Sequence, residues 1–281
     1  MKKIGIIVNT QKDDNDKYLN RVLTALSGRA EVYISDSANV SSPEITKLSN
    51  SDLAKTVEYM IVLGGDGTII GAASMCARNK VPVMGINLGR IGFMTEVECD
   101  AIDDAIDALL SGNYKTERRM MMKAQIKKDG KAISTCHALN DIVVSKSAGV
   151  KLVGIDLYTN DELVNRYIAD GIIIATPTGS TGYSISAGGP VVDPMMNLYV
   201  ATPVCAHMLS VRSAILSADK DIVIKLTREY ADNKALVSAD GEVQSEIGNS
   251  DEVIISRSQY SLELIKIGNQ SFYDTLLKKL S

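Results

Sequence analysis

An apolar run, Met60-Ile61-Val62-Leu63, stops in Gly64-Gly65-Asp66-Gly67-Thr68, three glycines around one carboxylate. These residue types suit phosphate chemistry. Glycine has no Cβ, so such a turn is expected to take positive φ and press backbone amides against phosphate oxygens, while Thr68 opens a helix whose N-terminus favours anions. Asp66 adds chemistry to binding. A carboxylate in a phosphate loop repels its ligand unless it holds a cation or a reacting hydroxyl; a plain helix N-cap is the competing reading. Spacing excludes two better-known loops. The chain has no G-x-x-x-x-G-K-[ST], and Gly65 to Gly71 reads G-x-G-x-x-x-G, one residue too long for the dinucleotide fingerprint.

A second dense segment runs from Asp170-Gly171-Ile172-Ile173-Ile174-Ala175 into Thr176-Pro177-Thr178-Gly179-Ser180-Thr181-Gly182-Tyr183-Ser184, followed by Gly188-Gly189-Pro190. Hydroxyls and glycines at this density can line a site for a polyhydroxylated or phosphorylated ligand, and Tyr183 among small residues makes a slot for a flat base. A Ser/Thr-rich turn between strands is the alternative. Asn87 to Glu96 follows a strand pattern at the carboxyl end of the sheet, where ligands bind in α/β folds. Its Phe93 is either a base-stacking residue or a core side chain. Asn140-Asp141 and Asp240-Gly241-Glu242, taken by themselves, read as carboxylate-bearing turns.

The elements that must position these residues fall into two patterns. Ile4 to Val8, Val32 to Ile34, Glu58 to Leu63 and Val81 to Ile86 read as strands alternating with helices over Tyr18 to Leu26, Ile69 to Arg78 and Ala101 to Leu110, the signature of a parallel sheet with helices on its faces. The Ser/Asn/Asp-rich stretch Ser35 to Ser51 reads as a loop. From Arg118 onward strands follow one another: Met121 to Lys127, Ile142 to Ser145, Leu152 to Thr159, Ile172 to Thr176, Asp221 to Leu226, Ala235 to Ser238 and Glu252 to Ser256, with turns at Asp129-Gly130 and Asn160-Asp161. An antiparallel, sandwich-like second domain is expected. The domains are read as 1–118, α/β with the glycine loop, and 119–264, β-rich and ligand-binding; Glu263 to Ile267 and a helix over Phe272 to Leu280 are expected to pack back on the first, so that 265–281 completes it.

The 281 residues suit two ordinary domains. A net charge of −4 without a Lys/Arg tract argues against a nucleic-acid partner. The apolar run after Met1-Lys2-Lys3 is too short for a signal sequence and no later run reaches a membrane span, so a soluble, cytoplasmic protein is expected. Cysteines 76, 99, 136 and 205 form no C-x-x-C pair and read as buried small hydrophobes rather than a disulfide or zinc framework.

Taken in order, Gly64-Gly65-Asp66-Gly67-Thr68, Asn87 to Glu96, Asn140-Asp141, Asp170 to Ser184 with Gly188-Gly189-Pro190, and Asp240-Gly241 resemble the NAD kinase family across both halves of the chain. The glycine loop alone is shared with lipid kinases; the Thr-Pro-Thr-Gly-Ser-Thr block is more specific. The resemblance implies transfer of the terminal phosphoryl of ATP to the adenosine 2′-hydroxyl of NAD, giving NADP. It implies an N-terminal Rossmann-like α/β domain, a C-terminal antiparallel β-sandwich-like domain and a homodimer or homotetramer. By the same resemblance Asp66 contacts the reacting hydroxyl with Gly67 against it, and Phe93, Thr181, Tyr183 and Ser186 surround the adenosine. Asn140 and Asp141 hold adenine and ribose groups, and Asp170 approaches the nicotinamide end. Gly64, Gly65, Gly67 and Thr68 form the phosphate loop. The chain departs from the family pattern in having Asp141 for Glu, Gly182 for Ala, Ser213 for Pro and Glu242 for Gln or His.

Phosphoryl transfer needs positioning and charge neutralisation more than a strong base. Asp66 is therefore expected to orient the hydroxyl while the glycine turn holds the phosphates of a donor, ATP or polyphosphate, carrying Mg²⁺ or another divalent cation. Asp66→Asn is expected to slow turnover with folding intact, and Arg90 and Arg212 are candidate phosphate partners. A lipid kinase is a rival, against which stands the absence of a basic amphipathic stretch. A non-catalytic nucleotide sensor is another, against which stands Asp66 itself.

Overall fold

The computed structural model describes residues 1–38, 45–207, 212–227 and 234–280. The chain divides into two compact units, Met1–Arg119 with Ser261–Ser281, and Met120–Tyr260.

The first unit opens with β1 (Lys2–Val8), α1 (Lys17–Leu26), β2 (Ala30–Ser35), β3 (Thr46–Leu48), α2 (Asn50–Thr56), β4 (Tyr59–Gly64), α3 (Asp66–Asn79), β5 (Val83–Asn87), β6 (Val97–Glu98) and α4 (Ile102–Ser111). Apolar runs become strands buried on both faces; Ile4, Ile6, Ile61, Leu63, Met84 and Ile86 enter one core with the apolar stripes of α1 and α4. Four pairings give the five-strand order β3-β2-β1-β4-β5, all parallel. β1 is thus flanked by β2 on one side and β4 on the other. The winding reverses between β1 and β4, and open α/β sheets bind ligands beyond the carboxyl ends of strands at such a point. The stretch read as a loop from Ser35 to Ser51 is corrected: it holds β3, and α2 begins inside it behind the N-cap Ser49, whose hydroxyl accepts from the Asp52 amide. Its residues 39–44 lie outside the described part. A three-residue strand with two exposed positions carries too little periodicity to be read from sequence.

β7 (Lys115–Lys128) carries the chain into the second unit, which continues as β8 (Lys131–Ala138), β9 (Asp141–Lys146), β10 (Val153–Thr159), β11 (Glu162–Ala169), β12 (Gly171–Ala175), the one-turn α5 (Tyr183–Ser186), β13 (Leu198–Val204), β14 (Ala214–Ser217), β15 (Ile222–Leu226), β16 (Ala235–Ala239), β17 (Glu242–Ile247) and the start of β18 (Glu252–Lys266). Six strands form an antiparallel sheet in the order β14-β13-β12-β9-β16-β17. The strands β11, β10, β15 and the first part of β18 pair antiparallel in a second layer. One core lies between the layers: Ile142, Val144, Ile172 and Ile174 from the first meet Ile155, Leu157, Ile224 and Ile255 from the second. On the other face of the six-stranded sheet Val143, Ile173 and Val200 pack with Val192, so Ile142–Val144 of β9 and the whole of β12 are apolar toward both faces. The end of β18, where Leu264 pairs parallel with Val83, and α6 (Phe272–Leu280) belong again to the first unit.

Among the thiols, Cys76 and Cys136 are buried as read, but Cys99 is half-buried and Cys205 exposed. No helix of the described residues is long and apolar enough to cross a membrane.

Candidate active site

Asp66 is the first residue of α3, with Gly65, in extended conformation, as the N-cap. The helix therefore opens two residues before Thr68. The carboxylate turns away from its own helix. Its Oδ2 accepts the Phe93 amide at 2.8 Å, and Oδ1 accepts the amides of Met94 at 3.0 Å and Thr95 at 3.3 Å, with the Thr95 hydroxyl at 3.5 Å. Gly92 makes the seat. A Cβ there would stand 2.0 Å from Asp66 Oδ1 and 2.4 Å from Thr95 Oγ1.

The glycines of the loop do not work as expected from their type. None of Gly64, Gly65 and Gly67 is among the positive-φ residues. Gly64 is needed because a Cβ would meet Thr68 Oγ1 at 2.3 Å, whereas a Cβ at Gly67 would meet nothing within 4 Å. Side-chain seating, not backbone reversal, explains Gly64. Together with Ile7 of β1, Asn9 and Lys12 just beyond it, and Gly71 and Met75 further along α3, the residues Gly65 to Thr68 line a cavity of about 400 Å³ at the reversal of winding. Lys12, Gly71 and Gly92 were not singled out by sequence reasoning. Their signal was the order of strands, which places the turn after β1 beside the turn after β4.

Phe93 is half-buried and already has partners: the Phe272 ring of α6 at 5.5 Å and the Lys279 ammonium 4.4 Å from its centroid. It is packed, on a loop joined to Asp66 through its own amide. Arg90 is exposed on the same loop.

In the second unit the Asn140-Asp141 corner and the hydroxyl loop come together. Asp240, in the turn between β16 and β17, accepts the amides of Leu139 at 2.7 Å, Asn140 at 2.8 Å and Asp141 at 3.1 Å. The turn is a hairpin with Asp240 at φ 48° and Gly241 at φ 86°, and its carboxylate also builds the corner. Gly179 lies against that corner so closely that a Cβ would stand 2.1 Å from the Asn140 carbonyl oxygen. Asn140 Oδ1 is buried and has no hydrogen-bond partner among the described residues. Burial, then the charge of Asp240, pushes the Asp141 carboxyl up to about 7; burial also raises Asp240, against the opposing effect of its three amides.

The loop's hydroxyls divide into two sets. Thr176 donates to the Leu139 carbonyl at 2.6 Å, Ser180 to Pro177 at 2.7 Å, and Ser184 pairs with Thr202 at 2.9 Å, all buried; these hold the loop. Their hydroxyls are spent within the protein, as in a Ser/Thr-rich turn between strands. Thr181, half-buried, donates to the Thr178 carbonyl at 3.1 Å, while Tyr183 and Ser186 are exposed on α5. Asp170 lies apart at the start of β12 in an ion pair with Lys146 at 2.7 Å.

The comparisons with known proteins agree with this geometry. Residues 4–114 match the ATP-NAD kinase N-terminal domain and residues 139–267 the ATP-NAD kinase C-terminal domain. An NAD kinase of Natranaerobius thermophilus is 35% identical over 283 residues, which take in 100% of this chain and 98% of that one. A crystal structure of yeast NADH kinase complexed with NADH superposes with a TM-score of 0.87 at 24% identity, covering 99% of this chain and 86% of that one. An NAD kinase from Archaeoglobus fulgidus in complex with ATP gives 0.75 at 23%, covering 99% and 98%. At those identities the two structures speak for the fold; the full-length relative and the two matched domains go further, and this chain belongs to the NAD kinase family.

Proposed function

We propose that Asp66 is the catalytic carboxylate with which this NAD kinase phosphorylates NAD to NADP at the expense of ATP. The 2′-oxygen of the adenosine forms its bond to the γ-phosphorus as the bond from that phosphorus to the β–γ bridging oxygen breaks. ADP leaves with the electron pair, and the hydroxyl proton passes to the Asp66 carboxylate. A weak base suits this step because the transition state is loose and the proton moves late. The observation that carries the reading is the seating of Asp66. A carboxylate has about four lone-pair sites, and with Oδ2 accepting one amide bond it keeps capacity for the substrate hydroxyl while backbone donors fix its position.

For the acceptor, the unpartnered Asn140 Oδ1 supports a contact with an amine of the base, and Asp141 beside it supports one with ribose hydroxyls. Thr181, Tyr183 and Ser186 are proposed around the adenosine, Asp170 toward the nicotinamide, and Gly67 and Phe93 beside the reacting end. A homodimer or homotetramer is proposed, supported by Ile133, Ile215 and Val243 exposed on strands of the second unit. A cytoplasmic place of work is proposed.

Among the described residues no three acidic, His or Cys side chains gather as a metal site. Mg²⁺ binds through one or two carboxylates plus substrate phosphates, so the cavity's Asp66 fits a cation carried by the donor better than a resident one. Such a cation would neutralise phosphate charge.

The test is NADP formation by the purified protein given NAD, ATP and Mg²⁺, with Asp66→Asn beside it. Turnover should fall by about 10²-fold or more while NAD binding persists. Contrary to the expectation from sequence, the variant should also melt earlier, because the asparagine NH₂ faces a loop that offers donors; a lost charged hydrogen bond costs roughly 1.5–3 kcal/mol. Full activity in the variant would remove Asp66 from the mechanism, and no product from the wild type with NAD bound would make the chain a sensor.

A further inference from the structure

We infer that α6 positions the catalytic carboxylate from the far end of the chain: Phe272 and Lys279 hold the ring of Phe93, and Phe93 carries the amide that fixes Asp66 Oδ2. The two are positioning residues, acting through Phe93 and not on a substrate. This rests on the proposed role of Asp66 and adds what sets its reacting oxygen.

The two oxygens of Asp66 are held unequally. Oδ1 accepts the amides of Met94 and Thr95, residues that are themselves seated in the unit at 5% and 2% exposure. Their backbone is packed as well, since a Cβ on Gly85 of β5 would meet Thr95 Cα at 3.1 Å and the Met94 carbonyl oxygen at 3.2 Å. Oδ2 accepts one amide, that of Phe93 at 2.8 Å, and is the oxygen with capacity left for the substrate hydroxyl. Phe93 is only half-buried. The aromatic and cationic partners of its ring both come from α6. The core thus fixes one oxygen, and α6 fixes the other.

The sequence of α6 is suited to that hold. Ser271 and Asp274 cap its start reciprocally: the Asp274 amide donates to Ser271 Oγ at 3.1 Å and the Ser271 amide to Asp274 Oδ2 at 2.9 Å. Lys278 and Lys279 lie in the last turn, where the helix dipole favours cations. Phe272 and Lys279 are seven residues apart and so share a face two turns long, with Thr275 buried between them and Tyr273 and Leu277 exposed elsewhere on the helix. The Phe272 ring stands 5.5 Å from that of Phe93, and the Lys279 ammonium 4.4 Å from its centroid, within the range of a cation–π attraction. The same C-terminal stretch catches the loop a second time at Glu96, which pairs with Lys266 and accepts the Gly268 amide at 3.1 Å. Residues 93–96 are therefore bracketed by residues 266–279. None of the proposed substrate contacts lies on α6, so a change there reaches the reaction through the loop.

The experiment is steady-state kinetics and thermal melting on the full-length protein. Lys279→Met keeps the apolar stem and loses the charge, so its Tm should hold while kcat falls about threefold to fivefold and the KM values for ATP and NAD stay put. Lys279→Arg, which also binds a ring face, should restore the rate. Phe272→Ala should lower kcat about tenfold. Phe93→Ala keeps the amide but removes the ring; it should be slow by itself, and adding Lys279→Met to it should cost nothing more, because the coupling runs through the ring. An equal cost of Lys279→Met with and without the Phe93 ring would overturn the inference. So would a raised KM for NAD at unchanged kcat, or a lowered Tm at unchanged kcat in Phe272→Ala. Asp66→Asn run beside these separates the two readings. If it is slow while both α6 variants turn over normally, the role of α6 alone falls; if it is fully active, the reading of Asp66 falls and takes this inference with it.

Discussion

At the scale of single residues the least expected group is Asp141. It is 7% exposed, and among the described residues no hydrogen bond reaches its carboxylate. Its neighbour Asp240, 99 positions away in sequence, is tied to the same corner by three amides. Sequence showed two turns with acids in them; that the two share a corner follows only from the pairing of β16 with β9. Burial and Asp240 hold the Asp141 carboxyl up at about 7. The folded state therefore keeps a proton that the unfolded chain releases near pH 4, so the contribution of Asp141 to stability is most favourable below that pH, declines as pH rises, and is lowest above about 7. Asp141→Asn, which stays neutral, should raise Tm more at pH 8 than at pH 5, the difference amounting to roughly 1.4 kcal/mol per unit of pH over the window. Thermal melts across pH 4–9 would check this, and a gain independent of pH would mean that Asp141 titrates like an ordinary carboxylate.

At the scale of elements, the start of α3 and the loop after β5 are held as one device. The sequence carried the motif but not its reason. Glycine permits positive φ in general, and nothing in Gly64-Gly65-Asp66-Gly67 says that the helix begins at Asp66 or that its carboxylate reaches residues 93–95. Gly92 supplies the missing half, being the position at which a methyl group would occupy the space of Asp66 Oδ1. Gly92→Ala should therefore displace the catalytic carboxylate without removing it. Overpacking of this kind costs about 1–3 kcal/mol, so the variant should melt lower and lose about 10²-fold in turnover. Gly67→Ala, where a Cβ meets no protein atom, should keep its Tm. Melting and turnover measured on both separate the two roles; a Gly92→Ala enzyme with normal Tm and rate would show that the loop yields and that Asp66 does not depend on it.

At the scale of the whole molecule, the parallel half was legible because its strands are buried on both faces and read as unbroken apolar runs, and β9 and β12 were legible for the same reason. β8, β11 and β17 were not, since most of their positions are exposed or half-exposed and polar. The return of the chain to the first unit was visible as two segments, Glu263 to Ile267 and a terminal helix, although the former is the end of one long strand, β18. That return has consequences for folding. Leu264 pairs with Val83 and so covers the start of β5, whose end pairs with β6; Lys266 pairs with Glu96, the Gly268 amide donates to Glu96 Oε1 at 3.1 Å, and Phe272 packs on Phe93. Leu262, Leu264 and Ile265 are all fully or nearly buried, and at about 1.5–3 kcal/mol for each buried side chain their loss approaches the 5–15 kcal/mol by which a typical domain is stable. Residues 1–119 expressed alone should therefore lack a cooperative unfolding transition. The two ends of the unit already touch, with Arg118 Nε donating to Ser261 Oγ at 2.7 Å, so a short Gly/Ser linker can join 119 to 261 without strain. The joined chain should unfold cooperatively in urea where 1–119 does not. Equal, cooperative unfolding of both would make the C-terminal segment an appendage and leave β5 a stable edge on its own.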